Sequence, residues 1–187
     1  MFMNILQGQD LVPGAISALS WTAKPENSDA HPAGTVQIGV AADATLIFAL
    51  SQSPIEDAVA FQQVDWPKGP AFLRVDEVCF PVGAVAHRHT HFGAGFRHLV
   101  RGALRLEADG HGQTVTAGES WFEAAQSPVR AVALQREGVT SFVRCMVVAP
   151  EFEGQSTFVL VDPADAQLPR LQVTHRHLDH PIYVEAG

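Results

Sequence analysis

The chain has 187 residues, of which 47% are hydrophobic and 17% are charged. These values are typical of one globular domain with a well-filled core. Its 20 acidic and 12 basic side chains give a formal net charge of −8 at pH 7, and Lys and Arg form no cluster in the sequence. Because nucleic acids and anionic membranes are bound largely through basic clusters, we expect neither as a partner.

The amino terminus shows no basic segment followed by an apolar one, so no signal peptide is predicted. No apolar run approaches the roughly 20 residues that a transmembrane helix needs. We therefore expect a cytoplasmic protein. Cys79 and Cys145 both lie in apolar, strand-like runs, and in a reducing compartment they are expected to be reduced core residues.

The first third of the chain gives a mixed pattern. Residues 1–34 show no strong periodicity, and the Pro- and Gly-containing run 23–34 is predicted to be a loop. Two strands are predicted over 35–40 and 45–50. Residues 54–63 fit either a short helical turn or an edge strand.

From residue 71 onward, short alternating runs are separated by turn residues, which is the pattern of a β-sandwich or barrel. The predicted strands are 71–80, 96–108 with a bend at Gly102, 113–117, a short strand after a turn within 118–123, 129–135, 140–148 and 157–161. Residues 172–184 are predicted to be a tail with strand content. A hairpin turn is predicted over 109–112. We predict one all-β antiparallel domain, with a barrel over 71–150, N-terminal strands and loops (1–66) packed on it, and a C-terminal extension (151–187).

Histidines are concentrated between the predicted strands 71–80 and 96–108. His87, His89 and His91 are two residues apart, so in a regular strand they would share one face. Neighbouring imidazoles of this kind typically bind a divalent transition metal such as Fe, Ni, Zn, Mn or Cu. His98 follows seven residues later and could return on the neighbouring strand.

The order of these residues resembles the two motifs of the cupin superfamily, and in particular small bacterial RmlC-like cupins. Gly83, His89, His91 and Gly102 match the first motif in register, and Gly118-Glu-Ser-Trp-Phe-Glu123 resembles the start of the second. Gly95 stands where the family has a glutamate ligand, and Val129 stands where it has the last histidine ligand. The resemblance implies a double-stranded β-helix, or jelly-roll barrel, over 71–150 and a homodimer that covers open sheet edges.

The resemblance also suggests a site. His87, His89, His91 and His98 are candidate metal ligands, although the motif register places His98 on the strand face opposite the missing glutamate. Glu123 is a candidate oxygen ligand or general base. Arg97 is predicted to face inward, where it could bind a substrate carboxylate or phenolate. The alternative for Arg97 is an ion pair with an acidic side chain.

Three functions are compatible with these residues, and whether the chain is an enzyme stays open. The first is a metal-dependent oxygenase or isomerase acting on a small molecule. The second is a non-catalytic cupin that binds or senses a small ligand. The third is a metal-independent epimerase or isomerase, which would need a His–Asp pair inside the barrel. His175, His177 and His180 could form a second metal site or belong to a solvated tail.

Overall fold

A computed structural model describes residues 1–8, 12–24, 31–108 and 110–185. Within these residues the regular structure consists of strands and two short 3₁₀ turns, over Pro150–Phe152 and Pro163–Gln167. The strands are β1 (Phe2–Leu6), β2 (Ala15–Ala23), β3 (Gly34–Ile38), β4 (Leu46–Ser51), β5 (Ala60–Gln63), β6 (Gly69–Phe80), β7 (Val85–His91), β8 (Ala94–Arg101), β9 (Ala103–Ala108), β10 (His111–Thr116), β11 (Ser120–Glu123), β12 (Val129–Ala133), β13 (Thr140–Val148), β14 (Phe158–Leu160) and β15 (Val173–Val184).

The strands form three five-stranded sheets. The N-terminal sheet has the order β3-β2-β4-β1-β5, and the two barrel sheets have the orders β10-β9-β12-β7-β14 and β11-β8-β13-β6-β15. Every strand pair is antiparallel. The predicted all-β antiparallel jelly-roll barrel with extra strands at both ends is therefore confirmed. Within the described residues, no helix has the length and apolarity to span a membrane.

Most predicted strands lie within a few residues of an observed one. The prediction 140–148 coincides with β13, and the edge-strand alternative for 54–63 is the correct one. The predicted bend at Gly102 separates β8 from β9, because Gly102 has φ +79° and an added Cβ would overlap the side chain of Thr140. Residues 25–30 of the predicted loop and Asp109 of the predicted turn lie outside the described residues.

Two strands were not predicted, β1 and β2. Four consecutive residues of β1 are buried, since the strand lies between β4 and β5 with both faces covered. A strand that is buried on both faces shows no alternation, so the sequence pattern did not reveal it. The C-terminal extension also contributes more than expected: β15 pairs with β6 along its whole length and is an edge strand of a barrel sheet.

The two cores explain the layering. The N-terminal sheet packs on the outer face of the barrel sheet that contains β6, β8 and β13, and this shared core includes Leu19, Trp21, Phe48, Leu73, Phe96 and Val143. A second core lies between the two barrel sheets and includes Phe80, Leu99, Leu104, Trp121 and Phe142. Alternate residues of β6, β8 and β13 therefore face two different interiors, which directs every second side chain into the barrel.

Candidate functional site

A cavity of ≈ 210 Å³ lies inside the barrel. Inward-facing residues of both barrel sheets line it, together with residues from the segments 156–158 and 170–176. Its apolar part is formed by Val78, Phe80, Ala86, Leu106, Trp121, Val129, Ala131 and Phe142. Apart from Phe158, the rest of the lining is polar or charged, so the cavity has the mixed character of a small-molecule site.

Arginines dominate the charged part of the lining. Five of the ten arginines in the chain line this one cavity: Arg74, Arg97, Arg144, Arg170 and Arg176. Among the described residues, these five guanidinium groups are paired with only three carboxylates, those of Asp179, Glu123 and Asp76. The pairing leaves two positive charges uncompensated in a chain whose net charge is −8.

Arg97 and Glu123 form an ion pair that faces the cavity. Their Nη2 and Oε2 atoms are 2.8 Å apart, and Arg97 is only 1% exposed. Arg97 Nη1 also donates to the Gly95 carbonyl at 2.6 Å, and Glu123 Oε1 accepts from Trp121 Nε1 at 2.8 Å. Burial lowers the pKa of Arg97 to about 10, which leaves it charged at neutral pH. Arg97 faces inward as predicted, Glu123 also lines the cavity, and the alternative of an ion pair for Arg97 is what the structure contains.

Arg144 connects a buried carboxylate to the histidine motif. Its Nε and Nη2 donate to Asp76 Oδ2 at 3.0 and 2.9 Å, and its Nη1 lies 3.1 Å from His91 Nε2. Arg176 approaches the other oxygen of Asp76 at 3.5 Å. Arg144 and Asp76 were not among the predicted site residues, although Arg144 is the one charged residue of the predicted strand 140–148 and Asp76 is one of three in 71–80. A charge in a buried strand is rarely left unpaired, and this was the signal that could have identified them.

Both ring nitrogens of His91 are engaged. Because a guanidinium group only donates, Nε2 accepts from Arg144, and Nδ1 carries the proton, which it donates to Thr157 Oγ1 at 3.1 Å. Burial, followed by the nearby charges of Arg144 and Arg97, lowers the pKa of His91 well below its ordinary value. His91 is therefore a neutral residue whose two hydrogen bonds fix its tautomer.

His89 differs from His91 in having one nitrogen available. Its Nδ1 donates to the carbonyl of His87 at 2.7 Å, and its ring stacks on Phe158 with centroids 4.3 Å apart. Burial lowers the pKa of His89 to about 4, so the ring is neutral at pH 7. Its Nε2 has no hydrogen-bond partner among the described residues and is available as an acceptor on the cavity side.

The other two candidate histidines lie outside the cavity. A β-bulge places two residues of β7 opposite one of β12, because Val129 pairs with His89 but Ala131 pairs with Ala86. The expectation that His87 shares a face with His89 is therefore corrected: Ala86 lines the cavity, and His87 Nε2 lies 3.2 Å from the Pro169 carbonyl. His98 bonds Ser120 Oγ at 2.9 Å on the face opposite Arg97, as the motif register indicated.

The residues at the positions of the cupin metal ligands do not fit a metal site. An added Cβ at Gly95 would overlap the Cys145 carbonyl oxygen, so no side chain can stand there. Val129 is apolar, and the Glu123 carboxylate is already bound to Arg97 and Trp121. Arg144 takes the nitrogen that His91 would offer. Within the described residues, no three His, Cys, Asp or Glu side chains are arranged to hold a metal ion.

The C-terminal histidines form a separate group on the outer face of the barrel sheet. His177 Nε2 lies 2.8 Å from Glu77 Oε1, and Trp21 Nε1 donates to the same oxygen at 2.7 Å. The Glu77 carboxylate also accepts from the backbone of Ala33 and Gly34. The ring centroid of His175 is 4.8 Å from that of His177 and 6.2 Å from that of His31. This group connects the N-terminal sheet to the barrel and does not reach the cavity. His180, which pairs with Leu73, does not line the cavity either.

Comparisons with known proteins give matches among solved structures only. No protein-family model and no curated protein matches the sequence. An RmlC-like cupin from Shewanella frigidimarina is 21% identical over 48% of this chain and 86% of its own, with a TM-score of 0.38. KdgF from a Halomonas species is 23% identical over 45% of this chain and 83% of its own, with a TM-score of 0.33. Oxalate decarboxylase from Bacillus subtilis is 11% identical over 90% of this chain and 67% of its own, with a TM-score of 0.42.

The likeness to a cupin barrel lies in the strand topology and in the placement of the first motif. The two barrel sheets have the strand orders of a jelly roll. Gly83 precedes β7, the His89-x-His91 pair points inward from β7, and Gly102 ends β8. In this topology and in this placement of the first motif, the barrel of the chain resembles the cupin fold.

Proposed function

We propose that the barrel cavity binds a small organic carboxylate through its arginines, with no metal ion bridging the ligand to the protein. The single observation that carries this proposal is the excess of guanidinium groups over carboxylates around the cavity of an acidic protein. Guanidinium groups bind carboxylates through paired, charge-assisted hydrogen bonds, and such bonds are strongest where water is largely excluded. A small-molecule ligand is also the partner expected from the sequence.

The arginines differ in how many donors they have left for a ligand. Arg74 donates to both oxygens of Asp179 and to the carbonyls of Phe152 and Gln155, so its role is structural. Arg170 packs over the ring of Phe158 at 4.2 Å, and no carboxylate in the described part of the chain lies within ion-pair distance of it.

Arg176 also has donors to spare. Within the described part of the chain it has only the 3.5 Å approach to Asp76 and one hydrogen bond, from its Nη2 to the Gln155 carbonyl at 2.9 Å. Arg170 and Arg176 are therefore the two arginines best able to bind the carboxylate of a ligand.

The remaining lining defines the other part of the ligand. Three aromatic rings, those of Phe80, Trp121 and Phe142, belong to the apolar wall. A ligand that buries a short alkyl chain or one aromatic ring against this wall gains hydrophobic stabilisation while its carboxylate meets the arginines. The volume of ≈ 210 Å³ restricts the ligand to a small molecule.

The test compares acids with their neutral amides. Calorimetric titration of the purified protein with propionate and phenylacetate should give binding of one of these acids near one molecule per chain, and no measurable binding of propionamide or phenylacetamide. A double variant, Arg170→Gln with Arg176→Gln, should weaken binding by about 10-fold or more. The matched control is Arg105→Gln with Arg130→Gln, which removes the same charge from two arginines that bind Glu107 outside the cavity.

Two results would overturn this proposal. Equal affinity for acid and amide would show that charge is not what the cavity recognises. An equal loss of affinity in the control double variant would show that overall charge, and not the two cavity arginines, is responsible.

A metal-dependent oxygenase, the first function suggested by the sequence, is the second candidate. What favours it is that His89 and His91 line one cavity with ring centroids 4.9 Å apart. It would require His91 to exchange its hydrogen bond with Arg144 for a metal ion. Elemental analysis distinguishes the candidates: Fe, Ni, Zn, Mn or Cu near one per chain, lost in a His89→Ala, His91→Ala double variant, would favour the oxygenase. The homodimer and the cytoplasmic location stay predictions.

A further inference from the structure

The cavity contains hydrogen-bond acceptors that a simple carboxylate cannot satisfy. Gln172 lines the cavity, and its Oε1 is buried with no hydrogen-bond partner among the described residues. A buried amide oxygen without a donor is unfavourable, and such groups usually find a partner in the functional state. The arginines beside it supply donors for an anion, but an anion cannot supply a donor to Gln172.

His89 provides a second acceptor in the same cavity. Its Nδ1–H is held by the His87 carbonyl, which leaves the lone pair of Nε2 as the free hydrogen-bonding group of the ring. Stacking on Phe158 fixes the orientation of this ring. The cavity therefore combines unpaired acceptors, on Gln172 and His89, with the guanidinium donors of Arg170 and Arg176.

We infer that the ligand is a hydroxy acid, whose carboxylate binds the arginines and whose hydroxyl donates to Gln172, with His89 as the other acceptor in reach of the bound molecule. This inference rests on the proposed function, because it assumes that a carboxylate occupies the cavity. It adds a substrate class and a residue that determines specificity. A hydroxyl group can donate to one acceptor at a time, so Gln172, whose oxygen is buried, is its assigned partner.

Matched acids that differ by one hydroxyl test the inference. Calorimetric titrations would compare lactate with propionate, and mandelate with phenylacetate. We expect at least one hydroxy acid to bind about 10-fold more tightly than its deoxy partner, which is the effect of one added hydrogen bond to a buried acceptor. The variant Gln172→Leu should lose this preference and keep the affinity for the deoxy acid.

The control is Gln113→Leu, the same substitution at an exposed position of β10 outside the cavity. It should keep both the affinity and the preference. Thermal unfolding of each variant shows whether it is folded, and Gln172→Asn, which shortens the side chain, repeats the test with a polar residue in place.

The outcomes separate this inference from the proposed function. If no acid of either pair binds, the proposed function itself fails. If hydroxy and deoxy acids bind equally well, the cavity binds carboxylates and the hydroxy-acid inference is overturned. If the preference for the hydroxy acid survives Gln172→Leu, or if that variant weakens the binding of both acids equally, Gln172 does not accept a hydrogen bond from the hydroxyl and its assignment is overturned.

Discussion

Two histidine pairs with the same spacing have different roles in this molecule. His89 and His91 on β7 have ring centroids 4.9 Å apart, and His175 and His177 on β15 have theirs 4.8 Å apart. The first pair faces the barrel cavity among arginines, whereas the second faces the N-terminal sheet beside Glu77. The spacing thus determines which residues lie side by side, and the charge of the surrounding groups determines what they can bind.

The two histidine pairs differ in electrostatics because different charged groups surround them. In the cavity, burial and neighbouring guanidinium groups keep His89 and His91 neutral, so they act as acceptors. At the joint between the sheets, burial opposes the ionisation of Glu77, but hydrogen bonds from His177, Trp21 and Ala33 outweigh it and lower the pKa of Glu77. One region is arranged to receive an anion and the other already contains one.

The largest effect on stability is expected from substitution of Glu77, which lies between the N-terminal sheet and the barrel. Glu77→Ala leaves Trp21 Nε1 and two backbone N–H groups without an acceptor in a buried environment. We expect the free energy of unfolding, measured with urea at pH 7, to fall by about 3 kcal/mol or more. Glu107→Ala removes an exposed carboxylate paired with Arg105 and Arg130 and should change little. Equal effects of the two substitutions would contradict the role assigned to Glu77.

An intermediate effect is expected when the cavity is acidified. The pKa of His89 is about 4 in the fold, below its ordinary value of 6.5. As the pH falls below 6.5, the unfolded chain takes up a proton that the folded chain does not, so stability is lost until the pH reaches about 4. From His89 alone, the free energy of unfolding should drop by about 2 kcal/mol between pH 7 and pH 4.5.

Substitution of His89 checks this pH dependence. His89→Gln should reduce the drop between pH 7 and pH 4.5, because glutamine does not titrate. His111→Gln, at an exposed position on β10, serves as the control and should leave the drop unchanged. An identical pH profile in His89→Gln and the parent protein would mean that His89 is not held neutral by the fold.

The smallest effect on the free energy of unfolding is expected for His175 and His177, and it should differ between the two. His177→Ala removes one hydrogen bond to the buried Glu77 carboxylate and should cost about 1–2 kcal/mol of unfolding free energy. His175→Ala removes an exposed ring with no hydrogen-bond partner among the described residues and should cost almost nothing. If His175→Ala were the more damaging substitution, the hydrogen bond to Glu77 would not be what the pair contributes.

The sequence predicted the features that depend on local pattern. Alternation in the run 71–80 and the turn residues 136–138 before the run 140–148 correctly located β6 and β13. The motif register correctly directed Arg97 inward and His98 outward. The position of His87 could not be predicted, because the bulge in β7 arises from its pairing with β12 and leaves no local signal.

Other parts of the site depend on contacts between distant segments. Arg170, Gln172 and Arg176 reach the cavity because β15 pairs with β6, about 100 residues earlier in the chain (His175 opposite Glu77, for example). No local pattern in the C-terminal run indicates that pairing. For the same reason the sequence suggested a metal site at His89 and His91, since it could not show that Arg144 would occupy His91 Nε2.

The central claim, that arginines and not a metal ion hold the ligand, has one direct test. The affinity of the protein for phenylacetate or propionate, whichever binds, would be measured before and after exhaustive treatment with a chelator. Binding through the arginines predicts the same affinity, within about twofold, in both samples. Loss of binding after chelation, with recovery on addition of Fe, Ni, Zn, Mn or Cu, would contradict it and would return the first-motif histidines to the role of metal ligands.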